Sequence, residues 1–365
     1  MQKIPCIQLL FTVILSWLIL PGIGSAWGQR LVGPVDLAAQ WREFSGTQEK
    51  FTCATARDIP ASLQSIVFYR DSQNSIVDPE LERKDRELLQ AARDEEDALS
   101  KALVALIRAP AAIRGDAAGC AVRHLLRFAE GGAFLQTDDR QGSGAVRLYS
   151  VTPTLVFLAL RDAGLLPPGA ERQISGWIGK LAVKLEEYEA KFVYTNNISD
   201  WTMAGLALAA VALDDRPLLE RAIAAVLRTS RSVSPEGTLA QEMARGDAAM
   251  VYSLFGAQAL AVTVVVARAN GRDLLAEPDG AGLARLFRSM NRVVSDPAYF
   301  VQLGGTSAAA AAKHLDRQNL GFLIPYYLHS RDAAALRTLC TRHPESWRIG
   351  GDWYVLFAAN SWCGR

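Results

Sequence analysis

The chain has 365 residues, half of them hydrophobic, with 39 basic and 38 acidic side chains and a formal net charge of +1. So balanced a composition supplies no field with which to hold DNA, RNA or an anionic membrane. Nucleic acid is therefore excluded as a partner, and the grip on any polyanion falls to a few placed cations.

At the start of the chain, Lys3 precedes an apolar run from Ile7 to Leu20, then Pro21 and Gly22, then Gly24-Ser25-Ala26. The run is shorter than the ~20 residues that cross a bilayer, and small residues at the last and third-last positions suit a signal peptidase. This predicts a signal peptide over residues 1–26, cleavage after Ala26, a periplasmic or secreted protein and no stable membrane insertion afterwards. Cleavage removes Lys3 and equalises the basic and acidic side chains. It also removes Cys6, leaving Cys53, Cys120, Cys340 and Cys363 in a compartment where disulfides persist. Two bridges with three possible pairings follow, and the shared position near the C-terminus favours Cys340 with Cys363. There is no CxxC, and none of the four histidines lies four residues from another. Neither a metal site nor a cofactor is expected.

Residues 27–77 read as an extended leader and a possible lid. From Asp78 onward nearly every segment has a helical period, so residues 27–365 are expected to form one all-α domain. Asp78-Pro79-Glu80 combines a capping acid, a first-turn proline and an acid that favours the helix dipole, so a long helix should follow. Asp215-Arg216-Pro217 repeats the device before a segment whose Leu218, Leu219, Ala222, Ile223, Val226 and Leu227 share a face. Apolar helices such as 201–213 and 251–269 alternate with more charged ones such as 217–228. That pattern fits helical hairpins sharing an inner layer. An incomplete α/α toroid has this signature, and so does an open helical solenoid.

Two polar clusters interrupt the pattern. Tyr194 to Trp201 places Asn196 and Asn197 at the mouth of an apolar helix, where Ser199 or Asp200 could equally be caps. Glu242 to Tyr252 sets Arg245 seven residues before Tyr252, two turns apart on one face if the helix is continuous. A guanidinium neutralises a carboxylate, and a phenol moves a proton. Cleavage of a uronic-acid polymer removes the proton at C5, beside a carboxylate, and expels the oxygen at C4. Donors such as Asn and Arg must balance the charge that develops, and a tyrosine, with its ordinary pKa of ~10, needs a cation nearby to act as base.

At these motifs the sequence resembles the alginate lyases of polysaccharide lyase family 5. Their pattern Asn-Asn-His-Ser-Tyr-Trp, then Glu…Arg and a tyrosine seven residues on, reads here Asn196-Asn197-Ile198-Ser199-Asp200-Trp201, Glu242, Arg245 and Tyr252. Weaker echoes lie at 65–68, 135–139, Pro325-Tyr326 and Trp347-Arg348-Ile349-Gly350-Gly351. The resemblance implies an α/α toroid, with Tyr252 as the proton carrier and Arg245 and Asn197 neutralising the C5 carboxylate. It further implies Trp201, Arg348, Tyr149 and Asn196 as sugar-binding residues and an anionic polysaccharide as the partner. Ile198 stands where the family has histidine, and the lid-loop tyrosine is replaced near Ser72, with Tyr69 a displaced candidate. Family members acting on mannuronate or glucuronate use tyrosine as both base and acid in a syn elimination, a route that tolerates Ile198.

The expected function is thus β-elimination on a mannuronate- or glucuronate-containing polymer. The alternative is a catalytically weak or inactive lyase fold that binds exopolysaccharide during export. A third class, an inverting hydrolase, would need two carboxylates across a cleft, with Asp200, Glu242 and Asp247 available.

Overall fold

The computed structural model describes residues 30–364, so the expected signal peptide and its cleavage point lie outside the described residues. Three helices, Val151–Asp162, Asn197–Leu213 and Ala249–Ala269, are buried along nearly their whole length and pack as an inner layer. Their neighbours Pro168–Lys191, Arg216–Ser232 and Ala281–Ser295 bury one stripe and expose the other. In Arg216–Ser232 that stripe contains all six residues the period assigns to it, and Asp215 caps the helix by accepting from the Leu218 amide at 2.9 Å. Paired inner and outer helices around one core make the α/α toroid, whose inner members are apolar all round because protein surrounds them.

A short strap fixes which end of the inner layer is which. The Leu31 amide donates to Asp214 at 2.7 Å and the Val32 amide to Asn270 at 3.1 Å, while Arg161 donates to the Leu31 carbonyl at 3.1 Å. Asp214, Asn270 and Arg161 sit at the C-terminal ends of the three inner helices. The N-terminal ends, with the polar motifs, therefore gather at the opposite end.

Several expectations are corrected. The leader is not wholly extended: Asp36 caps an eight-residue helix, Leu37–Phe44, whose Leu37, Gln40 and Phe44 face the core. The helix after Asp78 is capped as expected but is interrupted at Leu89, giving Pro79–Leu88 and then Gln90–Arg108. Arg245 and Tyr252 do not share a continuous helix. Helix Ala240–Met243 ends, Gly246 takes a φ of +54°, and a 3-10 turn leads into Ala249–Ala269.

The disulfides are Cys340–Cys363, as favoured, and Cys53–Cys120, which ties the leader to helix Ala111–Glu130. Buried His124 and Glu95 reinforce that tie: Glu95 pairs with the imidazole at 2.5 Å and accepts from the Arg57 amide at 2.6 Å. Near the C-terminus, Glu345–Ser346 pairs antiparallel with Gly351–Asp352. The intervening turn needs Gly350 and Gly351 at φ +83° and +100°. Thr152 pins it, donating to the Trp347 carbonyl at 2.6 Å and accepting from the Gly350 amide at 3.0 Å.

Candidate active site

Glu242 organises the polar end. Its carboxylate has no exposed surface, yet it accepts from the Asn197 amide at 2.9 Å and from Asn197 Nδ2 at 3.0 Å, and it pairs with Arg245 at 3.3 Å. Burial raises its pKa while Arg245 and the two bonds from Asn197 oppose the rise. Held from below, the Arg245 guanidinium lies 4.0 Å from the centre of the Tyr252 ring. Tyr252 is half-buried, and its hydroxyl has no hydrogen-bond partner among the described residues. The Arg245–Tyr252 juxtaposition foreseen from spacing is therefore real, although a turn produces it.

Above this group lies the loop from Phe68 to Asp78. It is closed by the Asp78 amide donating to the Phe68 carbonyl and the Arg70 amide to the Ile76 carbonyl, at 2.8 and 2.9 Å. Asp71 accepts from the Ser75 and Ile76 amides, which pulls its pKa down. Tyr69 on this loop packs 6.3 Å from the Tyr252 ring, and burial raises its pKa despite the nearby Arg245 charge. Ser72, Gln73 and Asn74 face Asn196 and Arg245 across a polar cavity of about 230 Å³. The loop thus brings Tyr69 toward Tyr252 and Ser72 to the rim of the cavity.

A second group continues along the same end. Arg348 is half-buried, with its guanidinium 4.4 Å from the Trp347 ring centre and 5.3 Å from that of Phe255, one helical turn beyond Tyr252. Arg93 approaches the same Trp347 ring at 5.4 Å. Two cations around a half-buried indole suit an acidic sugar, whose ring stacks while its carboxylate pairs. Behind them Glu96 is fully buried, neither of its oxygens has a hydrogen-bond partner, and burial holds its pKa well above the usual range.

Not every predicted sugar contact lies at the surface. Trp201 is completely buried and packs against Phe255 at 5.0 Å as part of the core. Tyr149 is also buried, beneath Trp347 at 5.4 Å, with its pKa pushed up to about 12 by burial; it supports the indole from within. Asn196 is the N-cap of helix Asn197–Leu213, accepting from the Ile198 amide at 3.1 Å, while also lining the polar cavity. Asn197 is buried with one Nδ2 hydrogen committed to Glu242, which leaves its second for another acceptor.

The three acids near the motifs do not form the hydrolase arrangement. Asp200 and Glu242 are buried and Asp247 is exposed, so these three candidates do not face one another across a cleft. Sequence reasoning missed Arg93 and Glu96. Glu96 left a signal: with Ala92, Leu99, Leu103 and Leu106 it falls in the buried register of helix Gln90–Arg108, an acid where the period calls for an apolar residue.

Residues 126–300, which include Asn197, Glu242, Arg245 and Tyr252, match the family model described as alginate lyase. A polysaccharide lyase from Stenotrophomonas maltophilia strain K279a is 27% identical over 306 residues, covering 80% of this chain and 86% of that protein. An alginate lyase from Azotobacter chroococcum mcd 1 is 26% identical over 234 residues, 62% of each chain. Among solved structures, a tyrosine-to-phenylalanine variant of alginate lyase A1-III complexed with tetrasaccharide aligns at a TM-score of 0.73 and 16% identity. That alignment covers 89% of this chain and 95% of the other. At such identity the likeness is one of fold.

Proposed function

For a chain that belongs to the alginate lyase family, as this polysaccharide lyase does, we propose β-elimination on a mannuronate- or glucuronate-containing polymer in the periplasm or outside the cell. Tyr252 takes the C5 proton, the electrons form the C4–C5 double bond, the C4–O bond breaks, and the departing oxygen takes a proton from the same tyrosine. Arg245 and the free Nδ2 hydrogen of Asn197 balance the charge that develops on the C5 carboxylate. Arg348, Arg93 and Trp347 hold a neighbouring sugar. One residue serving as base and acid requires both transfers on one face of the ring, which suits mannuronate or glucuronate and dispenses with the imidazole that Ile198 replaces.

The observation that carries this reading is the stacking of Arg245 on Tyr252 beside a phenolic hydroxyl with no partner among the described residues. It sets a cation against the ring whose oxygen must give and take the proton.

Tyr252→Phe is expected to abolish elimination while leaving polymer binding nearly intact, because it removes one hydroxyl and keeps the ring. Arg245→Ala is expected to impair both. Steady-state turnover and calorimetric binding separate the two, and a Phe variant that keeps most of its turnover would remove Tyr252 from the mechanism. For location, mass spectrometry of the exported protein should find Trp27 at its N-terminus; a cytoplasmic chain beginning at Met1 would contradict export.

A further inference from the structure

Asp200 stands where the resemblance places a tyrosine, and its surroundings are unusual for an acid. It is 3% exposed, and among the described residues no Lys, Arg or His pairs with it. Its Oδ1 accepts from Thr229 at 3.0 Å, while Oδ2 is buried with no hydrogen-bond partner. One turn earlier on the same helix, Asn197 Oδ1 is also buried without a partner. Both residues border Gly256: a Cβ there would lie 3.3 Å from Asn197 Cβ and 3.8 Å from Asp200 Oδ2. The missing side chain of Gly256 leaves the space in which the two polar groups share a face.

Two buried acceptors without partners, on residues that both border Gly256, are costly in a dry interior, and a proton on Asp200 removes the conflict. We infer that Asp200 is a positioning residue for the lyase reaction, remaining a neutral acid whose Oδ2 hydroxyl donates toward Asn197 Oδ1 and so fixes the amide of Asn197. The hydrogen bonds then run in one direction. Thr229 donates to Asp200, Asp200 to Asn197, Asn197 to Glu242, and Glu242 holds Arg245 over Tyr252. Burial drives the Asp200 pKa well above the carboxylate range, with Glu242 and Glu189 adding to the rise against the opposing bond from Thr229. An ionised Asp200 could only accept. It would favour the flipped amide, which turns Asn197 Oδ1 against Glu242 and withdraws the Nδ2 hydrogen from the substrate carboxylate.

The inference rests on the proposed lyase reaction, so its test pairs turnover with a readout that needs none. In infrared difference spectra, parent minus Asp200→Asn should show a carboxylic-acid carbonyl band. Asp200→Asn keeps an acceptor for Thr229 and a donor for Asn197, and should retain kcat within about threefold. Asp200→Leu keeps the volume but supplies neither. Its kcat should fall by about 10²-fold, the scale associated with a misplaced catalytic group, with a smaller rise in KM. Near-ultraviolet circular dichroism checks that the Leu variant is folded, and if it is not, the band and the Asn variant decide. No acid band, an Asn variant as impaired as the Leu variant, or a Leu variant with parental kcat would each overturn the assignment. If the parent makes no unsaturated ends from any polymer, the lyase reading fails. The band, and the affinities of the two variants for a uronate oligosaccharide, then still decide the role of Asp200.

Discussion

A carboxylate with no exposed surface is an unexpected neighbour for residues that meet an anionic polymer, and Glu242 works because every bond it makes is directed inward. It tethers Arg245 without occupying the face that lies on Tyr252, and it fixes one hydrogen of Asn197 while leaving the other. Glu242→Ala leaves the Asn197 amide and Nδ2 unpaired and Arg245 untethered. It should cost about 1–3 kcal/mol of stability for each buried donor left unsatisfied, together with most of the turnover. Denaturant unfolding alongside the elimination assay measures both, and an active, undiminished Ala variant would show that the tether is dispensable. Ile198, half-buried beside Asn197, poses the opposite question. If the site lacks only one donor, Ile198→His should raise turnover on mannuronate-rich polymer by up to ~10²-fold. A fall in activity would mean that the pocket is built around the isoleucine. At this scale the grouping of Tyr252, Arg245 and Asn197 at one end of the inner helices was legible because polar side chains at the start of apolar helices need a reason to be there. Trp201 was not. An indole beside a polar motif reads the same whether it stacks on sugar or fills the core, and only the packing against Phe255 distinguishes the two.

Helices were legible where capping and period agree, as at Asp215, and less so where a local break competes with a continuous pattern. Leu89 interrupts a helix that Asp78 starts correctly, and Gly246 takes the turn that brings Arg245 back over Tyr252. The seven-residue spacing gave the right pair for a different geometric reason. The loop from Phe68 to Asp78, proposed as a lid, depends on Asp71, whose side chain accepts from two backbone amides and the Ser75 hydroxyl. Asp71→Ala should loosen the loop and raise KM for polymer, with little change in the melting temperature because the loop lies outside the core. An unchanged KM would detach the lid from substrate binding. The disulfides act on the unfolded chain. For spans of 67 and 23 residues, loop-closure entropy predicts losses of about 4 and about 3 kcal/mol when Cys53–Cys120 and Cys340–Cys363 are replaced by serine pairs.

Across the whole molecule, buried acids give stability a pH dependence of unusual sign. Asp200 and Glu96 have folded pKa values raised well above 3.8 and 4.5, so the folded chain keeps two protons that the unfolded chain releases. Their contribution is complete below those ordinary values and is lost as the pH rises from them toward the folded values. Each retained proton lowers the unfolding free energy by about 1.4 kcal/mol per pH unit over that window. Asp200→Asn and Glu96→Gln should each flatten the fall in stability as the pH rises above these ordinary values, read from denaturant midpoints. The toroid itself was foreseen from alternating apolar and amphipathic helices, although the period alone fits a solenoid equally. Closure depends on contacts such as the Leu31–Gly33 strap, which no local pattern announces.

The most direct test is chemical. Purified protein is incubated with polymannuronate, a glucuronate-containing polymer and polyguluronate, and ultraviolet absorbance and new reducing ends are followed together. Syn elimination by Tyr252 predicts both signals on at least one of the first two polymers, neither on polyguluronate, and loss of both in Tyr252→Phe. New reducing ends without absorbance, or binding without either signal on every polymer, would contradict it.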